Sequence, residues 1–283
     1  MILSVAEEME RRRHPARNGM DPETSASRAS NQGTKKPGIH HQERLRVTDA
    51  RNCPGTVPQR FPSCAESKAE DFSLLKKILS IDRFESYRAN ANDSDELIFE
   101  RYQWNASICE CFYVPLRILE VVLRNSFNEA IAAQSRDVNW LTKSPSWLQP
   151  HSRDSVVEAH QFLAKRRRPL TQARVVQEMS FGFWTSLLNS RHETLFHRIG
   201  AQVFPGLPKR QRTRAQASAK FEEIRALRNR IFHFRRIWNR PDLNQDFEGI
   251  VEAMNWVNCE TERLLLPPDA RRRFQAVLIN RPR

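Results

Sequence analysis

Glycine is scarce in this chain: eight residues in 283. Phosphate-cradling loops, hairpin turns and barrel bends all draw on glycine's freedom at positive φ. A Rossmann-type or all-β domain is therefore not expected. Cysteine is sparse and odd in number, at Cys53, Cys64, Cys109, Cys111 and Cys259. No C-x-x-C pair occurs, and Cys109-x-Cys111 is too tight for the usual zinc spacing. H-E-x-x-H is missing too. His40 and His41 lie near Cys53 and Cys64, but in a polar stretch where no zinc site is expected. No apolar run reaches the length of a membrane span. The apolar part of MILSVAEEMERRR is too short for a signal peptide. These absences predict a reduced, cytoplasmic protein without metal, cofactor or membrane partner.

Acidic residues are also in deficit, 33 against 46 lysines and arginines, which leaves a formal net charge of +13. Such a surface attracts polyanions, nucleic acid before an anionic membrane. Leu, Ile, Phe and Trp recur at helical rather than alternating spacing, and no strand or hairpin signal stands out. The expected fold class is all-α, a helical bundle.

Residues 1–70 differ from the rest. Stretches such as ETSASRASNQGTKKPGIHHQE hold too little apolar surface to offset ordering entropy. They predict a disordered tail or an over-called start, ahead of a helical domain over 71–283. In that domain Phe72, Leu75, Ile78, Leu79 and Ile81 mark a first helix. A second is expected from a Ser94 cap to about Phe112. Pro115 would open a third, ending near Gln134. Further helices are expected at about 152–166 and 171–178, in SFGFWTSLL, and at about 211–233 and 243–264, with a short one to finish. Phe183 and Trp184 read as core rather than as stacking platforms for bases. The basic runs 165–168 and 209–214 are candidates for holding phosphates, with solubility as the plainer reading.

The informative stretch is LRNRIFHF at 227–234. At about 100° per residue, Ile224, Leu227, Ile231 and Phe234 form a core stripe. Arg225, Asn229, His233 and Arg236 fall roughly opposite, on a face with arginines and no carboxylate. Asn229 and His233 are i, i+4 neighbours whose side chains can meet. Arginine presents a fork that fits phosphate oxygens, and imidazole trades protons near neutrality. Arg228 sits about 140° from His233. Its guanidinium must bend around the helix or meet a histidine from a second copy. Elsewhere Glu120 and Arg124 form an i, i+4 pair, followed by Asn125, within a second Leu-Arg-Asn tripeptide at 123–125. Glu120 can pair with Arg124 in its own helix, or with Arg228 across the bundle and aim it.

Three blocks carry a family resemblance: YQWN…LRILEVVLRNSFNEAI at 102–131, VVQEMSFGFWTSLL at 175–188 and IRALRNRIFHFRRIW at 224–238. Together they resemble the Abi-like (abortive infection, AbiD/AbiF-type) HEPN-domain proteins. Arg228-Asn229-x-x-x-His233 looks like that family's Arg-x4–6-His motif. The resemblance implies a HEPN-like helical bundle with additional helices. It implies a homodimer in which Arg228 and His233 of two copies face one another. It also implies a metal-independent endoribonuclease of antiphage defence, held back by an antitoxin or released by a phage-derived trigger. One departure stands out: the family often has Glu-Pro where this chain has Arg235-Arg236, and losing the proline would let the helix run on.

The expected chemistry is attack by a ribose 2′-OH on the adjacent phosphate. His233 would act as general acid or base, Arg228 would stabilise the phosphate charge, and Asn229 would hold one or the other. Glu120, Arg124 and Asn125 would support the site. Arg225, Arg230, Arg235 and Arg236 would contact RNA. The rival expectation is a non-catalytic RNA- or nucleotide-binding HEPN module acting as a partner or scaffold.

Overall fold

The computed structural model describes residues 64–282, with side chains from residue 70, all within one unit spanning 61–283. Most of the expected tail, including His40, His41 and Cys53, lies outside the described residues. The described chain is helical throughout, with no strand among its residues. Eleven α-helices run in order: α1 (Cys64–Leu79), α2 (Ile81–Glu85), α3 (Asp95–Ser135), α4 (Pro150–Lys165), α5 (Gln172–Glu178), α6 (Phe181–Ser186), α7 (Glu193–Val203), α8 (Arg214–Phe232), α9 (Leu243–Val257), α10 (Thr261–Leu265) and α11 (Ala270–Ile279). No helix among the described residues is long and apolar enough to cross a membrane.

The axis of the bundle is α3. The sequence predicts two helices here, divided at Pro115; the structure has one of 41 residues with Pro115 inside it. At 1.5 Å per residue it is about 60 Å long. A proline inside a helix costs about 3 kcal/mol. Its neighbours outweigh that, because Phe112, Leu116, Leu119 and Leu123 are all buried on the same stripe. Each such side chain contributes about 1.5–3 kcal/mol of burial, and breaking the helix at Pro115 would divide the stripe. Along the first half of α3, Phe112 meets Phe247 of α9 and Phe274 of α11 at 5.9 and 5.5 Å. Along the second half, Phe127 meets Trp184 of α6 and Phe204 after α7 at 6.4 and 6.0 Å. Phe183 and Trp184 are core, as expected.

The first apolar stripe is less buried than its spacing predicts. Helix α1 begins at Cys64, ahead of the expected boundary, and stops at Leu79 because Ser80 takes a left-handed φ of 71°. Ile78 and Ile81 are left exposed on either side of the break. The last expected helix is likewise divided, into α9 and the short α10.

The loop from α2 into α3 is held by a buried ion pair. Asp93 Oδ2 accepts from Arg101 Nη1 at 2.5 Å and from the Ala89 and Asn90 amides at 2.7 and 2.8 Å. These donors, Arg101 foremost, hold the Asp93 carboxyl far below the usual carboxylate range. With the folded-state pKa depressed, the stabilisation is fully present above the unfolded value of about 3.9 and fades as pH falls through the folded one. Acid unfolding of Asp93→Asn should therefore have a shallower pH dependence below about pH 4 than that of the natural chain. Equal slopes in chemical denaturation across that range would contradict this.

Candidate functional site

Helix α8 opens on a Thr213 cap, whose side chain accepts from the Gln216 amide, and buries Ala217, Phe221, Ile224, Leu227 and Ile231. It ends at Phe232, within a residue of the expected 233, and does not run on through Arg235-Arg236 despite the missing proline. The ending has a clear cause. Phe234 takes a left-handed φ of 55°. Its N–H donates to Ile231 O at 3.0 Å, and the Arg235 N–H donates to Arg230 O at 2.7 Å. This is the Schellman arrangement of a helix C-terminus, with phenylalanine where glycine is usual. Phe234 also leaves the core stripe to which its spacing assigns it and stands 67% exposed.

His233 is the C-cap, and its N–H donates to Asn229 O at 3.1 Å. Its side chain is exposed and makes no hydrogen bond or ion pair among the described residues. The expected Asn229–His233 side-chain contact is absent. Asn229 Oδ1 instead accepts from Arg228 Nη1 at 3.4 Å.

Arg228 reaches across the bundle. Its Nη2 lies 3.5 Å from Glu120 Oε2 on α3, each side chain being one-quarter exposed. Its guanidinium also sits 4.4 Å over the Phe232 ring. Of the two pairings open to Glu120, the interhelical one is formed. Arg124 makes no ion pair with Glu120, and its Nε is buried without a partner, as is that of Arg228. Arg228 alone holds the Glu120 carboxylate, and the Nε groups of both Arg228 and Arg124 are donors to spare. Asn125 is not part of this group; it lines a separate cavity with Val122, Glu129 and Gln202.

The four arginines expected to touch RNA take different roles. Arg225 is bound by Glu222 Oε2 at 2.6 Å. Glu222 lies three turns before His233 on the same face, so that face does hold a carboxylate. Arg230 Nη2 donates to Arg236 O at 3.2 Å and braces the turn. Arg236 lies beyond the helix end, off the Arg225–Asn229 face, because the chain reverses at Phe234; its Nη1 donates to Ser86 O. Arg235 is exposed and without an ion pair among the described residues. Of the basic runs, Lys165–Arg168 is exposed, whereas Arg212 is tied to Leu207 O and Arg214 to Leu188 O.

Sequence reasoning missed the residue that fixes this turn. Asn105, buried on α3, accepts from the Ile237 amide at 2.7 Å and the Trp238 amide at 3.0 Å. Arg83 Nη2 donates to Phe234 O at 2.8 Å from the other side. The only sequence signal was a polar Asn in the apolar register of α3.

Exposed apolar side chains adjoin the motif. Tyr113 meets Phe232 edge-on at 5.3 Å, and Val114 and Phe234 are exposed as well. Within one chain, then, Arg228 is drawn toward α3 while His233 stands free at the helix end. Among the described residues no three His, Cys, Asp or Glu side chains gather as metal ligands would. Comparison with family models, curated proteins and solved structures finds no match to this chain.

Proposed function

We propose that this protein is an Abi-like endoribonuclease of the HEPN type, acting as a homodimer and cleaving RNA without a metal. The observation that carries the reading is the Arg228–Glu120 contact beside an unpartnered His233. A cation is held by a carboxylate on a neighbouring helix, and an imidazole is left free one turn away. In the reaction the 2′-oxygen bonds to phosphorus, losing its proton to one imidazole. The 5′-oxygen departs with a proton from another, as general acid–base catalysis requires. Arg228 stabilises the added charge on the phosphoryl oxygens. The exposed Tyr113, Val114, Phe232 and Phe234 support a second copy at this end, since a cluster of exposed apolar residues rimmed by charge marks an interaction surface. That copy would supply the histidine which Arg228 does not reach in its own chain. A defensive role, with a trigger or antitoxin, follows from the same resemblance.

The test is incubation of the purified chain with total RNA in excess EDTA. The expected products end in a 2′,3′-cyclic phosphate or its hydrolysed form. Products ending in a 3′-hydroxyl would rule out attack by the 2′-oxygen. DNA of the same sequence should stay intact, because it lacks that hydroxyl.

Glu120 gives a finer test. A partly exposed ion pair contributes about 0–1 kcal/mol to stability, so Glu120→Gln should leave the melting temperature almost unchanged. Cleavage should fall by about 10-fold, since a group displaced by a fraction of an ångström loses much of its effect. Full activity in this variant would remove Glu120 from the site.

A further inference from the structure

A cavity of about 370 Å³ opens at the far end of α3. Ile131 and Leu195 form its apolar wall, Trp147 stands at its side, and Arg191 and Arg198 supply charge, with no acidic residue in the lining. Glu193, next in sequence, is committed to Arg214 and His197. Arg191 keeps a single bond, to Gln149 Oε1 at 3.1 Å, and Arg198 is exposed.

Two side chains here pack edge-on against each other, the Trp147 and His192 rings at 6.0 Å, and each keeps an unmatched feature. Trp147 stacks on Trp140 at 5.8 Å yet remains 40% exposed. His192 lines the same cavity, is 4% exposed, and its Nε2 is buried with no hydrogen-bond partner. It precedes α7, where a side chain can cap the first amides, and makes no such bond. Native interiors rarely leave a buried polar atom unsatisfied. Burial holds the imidazole below its ordinary pKa, so near neutrality the ring is uncharged and offers one donor and one acceptor.

We propose that this cavity binds a nucleoside monophosphate, either free or as one nucleotide of an RNA strand. The base lies against Trp147 and the Ile131–Leu195 wall, since any base can stack on an aromatic face. The polar edge of the base meets the Gln134 amide, which also lines the cavity. The phosphate takes the guanidinium forks of Arg191 and Arg198. An aromatic hydrocarbon would leave the Gln134 amide and the guanidinium groups of Arg191 and Arg198 without a ligand partner, and inorganic phosphate would leave the apolar wall wet. The site is separate from the motif: Ile131–Ser135 lies about 16–22 Å along α3 from Glu120. It does not depend on the ribonuclease reading.

The experiment is calorimetric titration of the full chain. The probes are the four common 5′-mononucleotides, adenosine, inorganic phosphate and a single-stranded oligoribonucleotide. Trp147→Ala and Arg198→Glu change exposed side chains and should fold; melting curves check this. Arg272→Glu, exposed on α11 and outside the cavity, controls for loss of net charge. His233→Ala separates the motif. If the ligand is free, at least one mononucleotide binds more tightly than adenosine or phosphate. Trp147→Ala and Arg198→Glu each weaken it tenfold or more, whereas Arg272→Glu and His233→Ala do not. If the ligand is part of a strand, only the oligoribonucleotide binds, with the same pattern among the variants. The proposal is overturned if no probe binds, or if the cavity variants weaken binding no more than Arg272→Glu does.

Discussion

His233→Ala should lose RNA cleavage by about 10²–10⁴-fold, the usual contribution of a positioned acid or base, while the protein folds and binds RNA as before. The structure motivates both halves of that expectation. The imidazole is exposed and makes no side-chain bond, so its removal opens no cavity and orphans no partner. The role of the residue in the helix cap is carried by its backbone amide, which alanine keeps. On the proposed reading, RNA affinity would rest chiefly on the many arginines and lysines, which act through phosphates and should show a steep salt dependence. Single-turnover cleavage, fluorescence-based RNA binding and a melting curve read the three quantities separately. Cleavage retained at the natural rate would remove His233 from catalysis. Lost cleavage together with lost folding would make it structural.

Mixing variants sharpens the result. Proteins carrying His233→Ala and Arg228→Ala, each inactive alone, should regain part of their activity when combined if one site draws Arg228 and His233 from different copies. If both come from the same chain, such a mixed dimer contains no intact site on the chains that carry the changes. Gel filtration establishes in parallel whether the chain pairs.

The largest effect on stability is expected at Asn105. Its Oδ1 is the acceptor for the Ile237 and Trp238 amides, and all three residues are buried. Asn105→Ala leaves two buried donors without a partner. An orphaned donor costs about 1–3 kcal/mol, so a loss of about 3 kcal/mol is expected. For a domain of this size that lowers Tm by about 6–12 °C. Asn105→Asp keeps an acceptor in place and should recover much of the loss. Asn105→Ala should also loosen the turn after α8, so activity should fall with it and recover in proportion to the aspartate rescue. A melting temperature within a degree of the natural chain would mean that water or a shifted backbone takes over the role of Asn105.

The two expectations meet in one short segment, and it shows how far sequence reading reaches. The apolar periodicity of 214–232 was legible because helix burial repeats locally: Ile224, Leu227 and Ile231 are core as their spacing requires. The end of α8 falls within a residue of the expected 233, but the turn that follows it was not legible. No glycine or proline marks it, and Phe234 adopts the left-handed conformation because Arg83, Asn105 and the Ser86 carbonyl hold the following residues from distant parts of the chain. Pro115 is the converse case. Local rules divide α3 there, and packing against α9 and α11 keeps it whole.

Near the motif, the residue types and spacing of Arg228, Asn229 and His233 were in the sequence, and so were both possible partners of Glu120. Choosing Arg228 over Arg124 required knowing that α3 and α8 pass side by side, which is a matter of tertiary packing. The cavity around His192 left no sequence signal, because its walls come from α3, the 147 loop and α7. By itself the sequence determined the all-helical class, the positive surface and the positions of the apolar stripes, since each depends on composition or on neighbours within a turn or two. Only the tertiary structure decided how the chain turns after α8, which arginine Glu120 holds and where a buried histidine lacks a partner. Those outcomes depend on contacts between residues far apart in the chain, and no local periodicity encodes them.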